Sequence, residues 1–383
     1  MKCVYSTRLE GVYETPIIME YVKWLIKIAA LCPGKSHIRG VLKTDDFLRM
    51  LEELETCGAT AYRDEQGVTV EGCPDSMEAF NSVFGEIVKN VKLFDAPELS
   101  GTDGIFQREN IIIDGEPDPD TLAAVILGNI VHGNSQTLRL PGNMNLEPSF
   151  YNVLEAIKAF GGFVEVRSEH EIYVGGAFPL SAGKIVAAAG EFGLGAFGLV
   201  LSAFNPKLSV SNVFETSTFV KRSGFISLIS EFGLTFSADY SGVASLTGLE
   251  ACVPPQIDCK KAAEYLPYLM FLATRIEGET EFYNIDSWVV EAFDGALYYT
   301  VSMLLSLGAR IEAKRAGTIS IKGGGKFAGG AKLDCHDNFI VASTAVLLSL
   351  ASEKSNIIDN ADVLTEKYPD FWERFSRVGG FAE

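Results

Sequence analysis

One stretch near the N-terminus combines residue types that bind phosphate. The sequence PGKSHIR at 33–39 places a lysine, a serine and an arginine in a short segment that opens with proline and glycine. Backbone N–H groups of a glycine-containing loop, together with lysine or arginine, are common donors to a phosphate group. The same composition is also typical of a turn between a helix and a strand. The residues alone leave both interpretations open.

A second stretch has the glycine spacing of a dinucleotide-binding site. Gly193, Gly195 and Gly198 follow a strand pattern and open a helical one, and Glu215 lies twenty residues after Gly195. Such glycines let a pyrophosphate approach a helix N-terminus. The alternative is that they let a buried helix pack closely, which we favour because the segment fits the repeat described below. A nucleotide-binding oxidoreductase that uses 193–215 stays a minor alternative.

Charge and composition disfavour several classes of partner. The 383 residues include 32 Lys+Arg and 50 Asp+Glu, and a net charge of −18 argues against nucleic acid and anionic membranes. The four histidines lack metal-ligand spacing and the seven cysteines form no CxxC pair, so we expect no metal, no other cofactor and reduced thiols. With no leader and no uncharged apolar stretch of about 18 residues, we expect a soluble, cytoplasmic monomer.

The elements that would position these residues repeat along the chain. Each repeat reads as an apolar helix, a strand, a second helix that ends in glycine, and a hairpin. In the first repeat, the second helix has Phe47, Met50, Leu51 and Leu54 on one face. The glycine stands where a helix C-cap needs a left-handed residue. Five such repeats predict an α/β fold built from βαβαββ units with buried helices.

Three segments carry a specific family resemblance. They are GKSHIRGVLKTDDFLRMLEELETCG (34–58), NIDSWVVEAFDG (284–295) and EKYPDFWERFSRVGG (366–380). In this order they resemble the enolpyruvyl transferase family, and within it EPSP synthase (3-phosphoshikimate 1-carboxyvinyltransferase). The resemblance implies a two-domain inside-out α/β barrel with three βαβαββ units in each domain. It also implies that small-molecule ligands bind in the cleft between the domains.

The family has six units, whereas five are recognisable in this sequence. By this resemblance we expect a first domain at 15–240, with three units and an insertion near 74–114. The second domain is expected at 1–14 and 241–383, with two units. The absent unit would fall between about Tyr240 and Asp258, which would leave the second domain incomplete.

Counted against the family, the cationic positions of the ligand site are replaced. PGKSHIR falls on the turn after the first buried helix, which favours the structural interpretation of that segment. At the family's substrate-binding turn, the lysine, serine and arginine positions hold Met19, Glu20 and Trp24. Further ligand-binding positions of the family fall on uncharged or acidic stretches of this chain, at 115–121, 193–195, 291–295, 336–338 and Glu366.

Two places keep related chemistry by the same count. Glu264, three residues before Pro267, falls on the catalytic aspartate of the family. A carboxylate at the head of a buried helix suits a general acid or base, although a solvated helix-terminal glutamate is the alternative. Thr218 falls on the serine that contacts the substrate phosphate, and Lys221 follows three residues later. Asp337 is predicted to be the N-cap of the last buried helix, with a residual ligand-binding role of His336 and Asp337 as the alternative.

These replacements set the expected function. EPSP synthase brings a phosphate monoester and phosphoenolpyruvate together, and each lost charge-assisted hydrogen bond costs about 1.5–3 kcal/mol. We therefore predict a diverged EPSP-synthase-like protein that lacks the standard activity and binds another small ligand or partner. Acidic residues at Asp286, Glu291 and Asp294, which face the cleft in the family geometry, would favour a neutral or cationic ligand.

The alternative is an active, phosphoenolpyruvate-dependent enolpyruvyl transferase of the shikimate pathway with a rebuilt anion site. If the chain is an enzyme, a transferase of this 1-carboxyvinyl type is the expected class. The candidate cations for a rebuilt site are Lys35, Arg39, Lys221, Lys260, Lys261 and Lys367.

Overall fold

The structure is a computed structural model that describes most of the chain. The described residues are 1–39, 57–64, 67–93, 105–106, 108, 110–113, 117–140, 148–168, 170–215, 217–249 and 253–383. The predicted helix that carries Phe47, Met50, Leu51 and Leu54 lies outside these ranges, as do parts of the predicted insertion and of the stretch 115–121.

The described ranges contain short strands and helices in alternation. The strands are β1 (Lys2–Val4), β2 (Gly11–Glu14), β3 (Gly34–Arg39), β4 (Thr60–Arg63), β5 (Gly67–Gly72), β6 (Asn110–Ile112), β7 (Gln136–Arg139), β8 (Phe163–Ser168), β9 (Glu171–Gly175), β10 (Ile185–Ala187), β11 (Leu208–Ser211), β12 (Thr235–Ala238), β13 (Ala244–Thr247), β14 (Gln256–Asp258), β15 (Glu279–Tyr283), β16 (Arg310–Arg315), β17 (Thr318–Lys322), β18 (Lys332–Asp334) and β19 (Asn356–Asp359). The helices are α1 (Met19–Ala30), α2 (Ser76–Lys89), α3 (Pro119–Val131), α4 (Pro148–Ala159), α5 (Phe192–Phe204), α6 (Thr218–Arg222), α7 (Phe225–Glu231), α8 (Cys259–Ala262), α9 (Leu266–Arg275), α10 (Ser287–Ser306), α11 (Phe339–Leu350), α12 (Val363–Lys367) and α13 (Phe371–Arg377).

The chain divides into two compact units. The larger unit comprises Met1–Pro16 and Ala189–Glu383, and the smaller unit comprises Ile17–Ala188. This division differs from the expected boundary near residue 240. Strand β2 pairs in parallel with β11. The third repeat therefore belongs to the same unit as the N-terminal strands and the C-terminal half of the chain. Among the described residues, it is therefore the smaller unit that has two sheets, and the larger unit has three.

The smaller unit packs two four-stranded sheets and their helices. The strand orders are β10-β3-β5-β4 and β6-β7-β9-β8. Helix α1 packs against α4, and α3 packs against α2. Asp118 is the N-cap of α3, and its side chain accepts a hydrogen bond from the Thr121 backbone N–H at 2.9 Å. Pro119, in the first turn, also favours the start of the helix at this point. From Leu122 to Ile130 it is buried on every face, as its apolar run predicts.

The segment PGKSHIR forms a turn and a strand rather than a loop. Residues Gly34–Arg39 are β3, which pairs along its length with β5. The Lys35 ammonium lies 3.5 Å from the Glu71 carboxylate, and Ser36 is buried. The backbone N–H groups of an extended strand alternate in direction, so they do not converge on one anion. The structural interpretation of this segment is therefore the correct one.

The larger unit places three helices inside and three sheets around them. The buried helices are α5, α9 and α11, which pack against one another. The sheets have the orders β12-β13-β11-β2, β14-β15-β17-β16 and β1-β19-β18. A hydrogen bond of 2.8 Å between the buried hydroxyls of Tyr268 and Ser343 joins α9 to α11. The predicted inside-out α/β architecture of repeated units is confirmed.

Glycines end the second helices of the repeats, as predicted. Gly161, Gly233 and Gly308 follow α4, α7 and α10 with φ values of 91°, 88° and 86°. This left-handed conformation costs a residue with a Cβ roughly 1–2 kcal/mol, which explains the recurrent glycine. The chain can therefore turn sharply from each helix into its hairpin.

No helix in the described ranges has the length and apolar character that a membrane span requires.

Candidate functional site

A cavity of about 360 Å³ lies in the larger unit, at the N-terminal ends of its three buried helices. Gly193, in the first turn of α5, lines this cavity. Glu264, in the 3₁₀ turn that precedes α9, lines it as well. The residues from Asp337 to Ile340 enter it from the start of α11. The N-terminal ends of these helices meet here because, in each repeat, the strand that precedes the buried helix runs in the same direction. Helix α12 and a break in α10 complete the wall.

The break in α10 holds an unusual backbone conformation. Phe293, Asp294 and Gly295 have φ values of 51°, 55° and 77°, so the helical hydrogen-bond ladder stops there. His336 and Asp337, before α11, are also left-handed, with φ values of 48° and 55°. Left-handed conformations are uncommon for residues other than glycine, and such strain clusters at functional sites. Three of these residues, Phe293, Asp294 and Asp337, line the cavity.

Asn338 holds the break in α10 and the start of α11 together. Its Oδ1 accepts hydrogen bonds from the backbone N–H groups of Ile340 and Val341 at 3.1 and 3.2 Å. Its Nδ2 donates to the Phe293 carbonyl at 2.7 Å. The prediction that Asp337 caps α11 is therefore wrong by one residue. Asp337 is left-handed, whereas Asn338 has the extended backbone that an N-cap requires, and Asp337 faces the cavity instead.

The cavity wall is predominantly acidic. The charged residues that line it are Glu264, Asp294, Asp337, Glu366 and Lys367. Helix N-termini carry partial positive charge and ordinarily attract a ligand's anion. In this chain, side-chain carboxylates lie at those ends: Glu191 is the residue before α5, Glu264 comes before α9, and Asp337 comes before α11. The protein itself therefore supplies the negative charge that these ends favour.

Lys367 is the cation among the residues that line this cavity. Its Nζ lies 4.9 Å from the centre of the Phe339 ring and 5.6 Å from that of Tyr368. Cation–π contacts of this kind orient an ammonium group without neutralising it. Within the described part of the chain, no carboxylate lies within the 4.0 Å of an ion pair with Lys367. A single lysine thus opposes four carboxylates.

Glu264 has a perturbed carboxyl group. Partial burial of the carboxyl raises its pKa, and the nearby Glu191 carboxylate raises it further, although the residue as a whole is exposed to solvent. A hydrogen bond with Tyr265 and the Lys367 charge act in the opposite direction. Glu191 itself accepts a hydrogen bond of 3.2 Å from the Tyr368 hydroxyl. A carboxyl group that keeps its proton to higher pH is suited to general acid chemistry.

We expect the Glu264→Gln variant to gain thermal stability relative to the wild type as pH rises. A carboxyl pKa that is higher in the folded state means that the wild type loses stability as this group ionises above its unfolded pKa. Glutamine does not ionise, so the difference in Tm between variant and wild type should grow from about pH 4 to pH 7. Differential scanning fluorimetry across this range measures it.

The matched control for Glu264 is Glu279. Its pKa is lowered by hydrogen bonds from Lys314 and Ser320, and its carboxylate lies 2.6 Å from the Lys314 ammonium. It therefore contributes stability above its unfolded pKa, and Glu279→Gln should lose stability relative to the wild type as pH rises. The same sign of pH dependence for both variants would contradict the account of Glu264.

The other sequence-predicted residues are placed elsewhere. Thr218 is the first residue of α6, and Lys221 is exposed on the same helix and does not line the cavity. Lys260 pairs with Asp286 at 2.7 Å. Lys35 and Arg39 belong to the smaller unit. Of the six cations proposed for a rebuilt anion site, all of them in the described ranges, Lys367 is the one that lines this cavity.

The glycine pattern at 193–198 serves packing. Gly193, Gly195 and Gly198 lie inside α5, so they do not form the turn of a dinucleotide fingerprint. A Cβ on Gly198 would lie 2.9 Å from the Tyr13 ring and 3.0 Å from Val210. The glycine therefore lets α5 approach its sheet closely.

No group of three or more His, Cys, Asp and Glu side chains that could hold a metal ion occurs among the described residues.

Comparison with known proteins agrees with this architecture. The fold is similar to that of EPSP synthase from Acinetobacter baumannii. The comparison covers 100% of this chain and 99% of that chain, with a TM-score of 0.64 and 16% sequence identity. The chain also matches the enolpyruvyl transferase NikO from Streptomyces tendae, with 100% of this chain and 98% of that chain covered, a TM-score of 0.56 and 13% identity. These solved structures support the fold.

Sequence comparison identifies the family. A 3-phosphoshikimate 1-carboxyvinyltransferase from Clostridioides difficile is 22% identical, with 98% of this chain and 97% of that protein covered. One from Clostridium beijerinckii is 23% identical with the same coverage. Residues 122–375, well over half of the chain, match the family described as EPSP synthase (3-phosphoshikimate 1-carboxyvinyltransferase). The chain therefore belongs to the EPSP synthase family.

Proposed function

We propose that this family member lacks standard 3-phosphoshikimate 1-carboxyvinyltransferase activity and binds a neutral or cationic small molecule in the acidic cavity of its larger unit. The observation that carries this proposal is the charge of the cavity wall, where four carboxylates face one lysine. The standard reaction needs a phosphate monoester and phosphoenolpyruvate side by side. Carboxylates near those anions would repel them, and the lost charge-assisted hydrogen bonds would cost about 1.5–3 kcal/mol each.

The chemistry of the wall indicates the class of ligand. Phe293 adds an aromatic ring to the same wall as Asp294, Asp337 and Glu366, whereas the Phe339 ring already contacts the Lys367 ammonium. Aromatic rings next to carboxylates bind amines and other cations through cation–π and ionic contacts. A cavity of about 360 Å³ falls within the size range of small-molecule sites. Glu264 adds a fourth carboxyl group that such a ligand would contact.

A second candidate function is the family reaction itself, in an active enzyme. It is favoured by the near-complete coverage of the curated relatives and by the presence of Glu264 and Lys367 in one cavity. In that case Glu264 would transfer the proton and Lys367 would contact an anion. The two candidates differ in their response to the family substrates, so one assay separates them.

The test of catalysis is phosphate release. The purified chain is incubated with shikimate 3-phosphate and phosphoenolpyruvate, and inorganic phosphate is measured beside the Clostridioides difficile relative. We expect a rate below about 10⁻⁴ of that enzyme's, since losing four or more charge-assisted contacts removes over ~5 kcal/mol of transition-state stabilisation. Release that saturates with both substrates and disappears in Glu264→Gln would establish the family reaction instead. Release that Glu264→Gln retains would show that Glu264 does not transfer the proton.

A further inference from the structure

The larger unit has a second cavity, of about 250 Å³, at the opposite ends of the same three helices. Its apolar wall comes from the last turns of α5, α9 and α11, with Leu201, Phe204, Phe271, Leu347 and Leu350. Thr7, Arg8 and Arg275 add polar groups to this wall. The second cavity thus combines apolar side chains with cationic groups, whereas the first cavity is acidic.

The helix carbonyls at this end already have hydrogen-bond partners. The Asn205 Nδ2 donates to the Leu201 carbonyl at 2.9 Å, and the Ser6 hydroxyl donates to the Leu350 carbonyl at 2.9 Å. The Asn205 Oδ1 is occupied as well, since it accepts from the Leu9 backbone N–H at 3.0 Å. These three oxygens therefore already accept hydrogen bonds, whereas the guanidinium groups of Arg8 and Arg275 can only donate.

Two buried donor atoms at this cavity have no partner. The Nε of Arg275 and the Oγ1 of Thr7 are buried without a hydrogen bond within the part of the chain that the structure describes. The Arg275 Nη1 reaches the Gly325 carbonyl at a long 3.4 Å. A buried donor left unpaired costs about 1–3 kcal/mol, so its presence calls for a partner.

The two arginines also lack counter-ions. In the described ranges, no carboxylate lies within 4.0 Å of the Arg8 or Arg275 guanidinium, although the chain has 50 acidic residues. Burial lowers the pKa of Arg275, and no neighbouring anion offsets that effect. The partly buried charge of Arg275 would normally be paired, whereas Arg8 is exposed and solvated, and both guanidinium groups present a planar set of donors that matches a carboxylate. An acidic chain that leaves these two arginines unpaired leaves room for an external anion.

We propose that this second cavity binds a small monocarboxylate with an aryl or alkyl body. The carboxylate accepts hydrogen bonds from the guanidinium groups of Arg275 and Arg8, and the apolar body packs against Phe204, Phe271 and Leu347. A cavity of 150 Å³ holds one benzene ring, so about 250 Å³ accommodates on the order of ten non-hydrogen atoms. This site is independent of the function proposed for the acidic cavity, because the two differ in position and in charge.

Calorimetry with 3-phenylpropanoate tests the proposal, with 3-phenylpropanamide as the uncharged control of matched shape. We expect the carboxylate to bind at least tenfold more tightly than the amide. Arg275→Met should weaken carboxylate binding at least tenfold and should not lower Tm, since it removes an unpaired, partly buried charge. Arg310→Met, which removes an exposed arginine of β16 in the same unit, should leave binding unchanged.

Arg8→Met is the second variant, because Arg8 is exposed and its loss should not affect folding even if Arg275→Met does. It should weaken carboxylate binding at least threefold. Three results would each overturn the proposal. They are no binding of the carboxylate, equal binding of carboxylate and amide, and wild-type affinity in whichever of the two arginine variants folds.

Discussion

The Gly323→Ala variant is expected to lose about 3–5 kcal/mol of unfolding free energy, or not to fold. Gly323 follows β17 and crosses the end of α9. A Cβ there would lie 2.0 Å from the Ile276 carbonyl oxygen and 2.2 Å from that of Ala273. Both contacts are to backbone, and hydrogen bonds from Gly323 to Gly278 and from Gly324 to Thr274 hold the crossing in place. The clash therefore cannot be relieved by one side-chain rotation.

Gly325, two residues later, provides the control. An added Cβ there meets nothing within 4 Å, and its φ is outside the left-handed range. Gly325→Ala should change stability by less than about 0.5 kcal/mol. Urea denaturation followed by circular dichroism compares the two variants with the wild type. If Gly323→Ala unfolded at the same urea concentration as Gly325→Ala, the close crossing of β17 over α9 would be wrong.

The Asn338→Ala variant is expected to lose about 2–4 kcal/mol of unfolding free energy, from two separate effects. The α11 cap is lost, because Asn338 accepts from Ile340 and Val341. The Phe293 carbonyl also loses its donor. The break in α10 would then be less well held, so we expect the acidic cavity to become more mobile as well as the fold less stable.

Asn338→Ser separates these effects. A serine keeps a cap acceptor but is too short to replace the 2.7 Å bond to Phe293, so it should recover about 1 kcal/mol of the loss. Asp118→Ala, which removes an exposed cap in the smaller unit, should cost about 1 kcal/mol by itself. Equal losses for Asn338→Ala and Asp118→Ala would show that the contact with Phe293 contributes nothing.

Much of the fold could be predicted from periodicity and glycine position. The run FIVASTAVLLSLAS has no charge on any face, and α11 is buried as such a pattern requires. The boundary between the units could not be predicted. It depends on the pairing of β2 with β11, which are nearly two hundred residues apart in the sequence, and a three- or four-residue strand does not specify its partner.

Of the predicted site residues, Glu264 lines the acidic cavity and Lys221 does not, and the catalytic role of Glu264 stays a prediction. Glu264 was identified because it falls on the family's catalytic aspartate, three residues before Pro267 and at the head of an apolar helix. Glu191 and Asp337 also lie just before buried helices, and an acidic residue at the head of each apolar run could have located the acidic cavity as a set. The left-handed break at Phe293–Gly295 has no comparable signal, because two of its three left-handed residues are not glycine and the break depends on the Asn338 contact from another helix.

The central claim is that the site of this family member does not accept the family's anionic substrates. The most direct test is titration calorimetry, supported by thermal shift, with shikimate 3-phosphate and phosphoenolpyruvate, separately and together. A ligand at 100 times its dissociation constant would stabilise the fold by about 2.7 kcal/mol and raise Tm by a few degrees. We predict no heat of binding and no rise in Tm with either ligand or with both. Saturable binding, and above all phosphoenolpyruvate binding that strengthens when shikimate 3-phosphate is present, would contradict the claim and establish a working anion site.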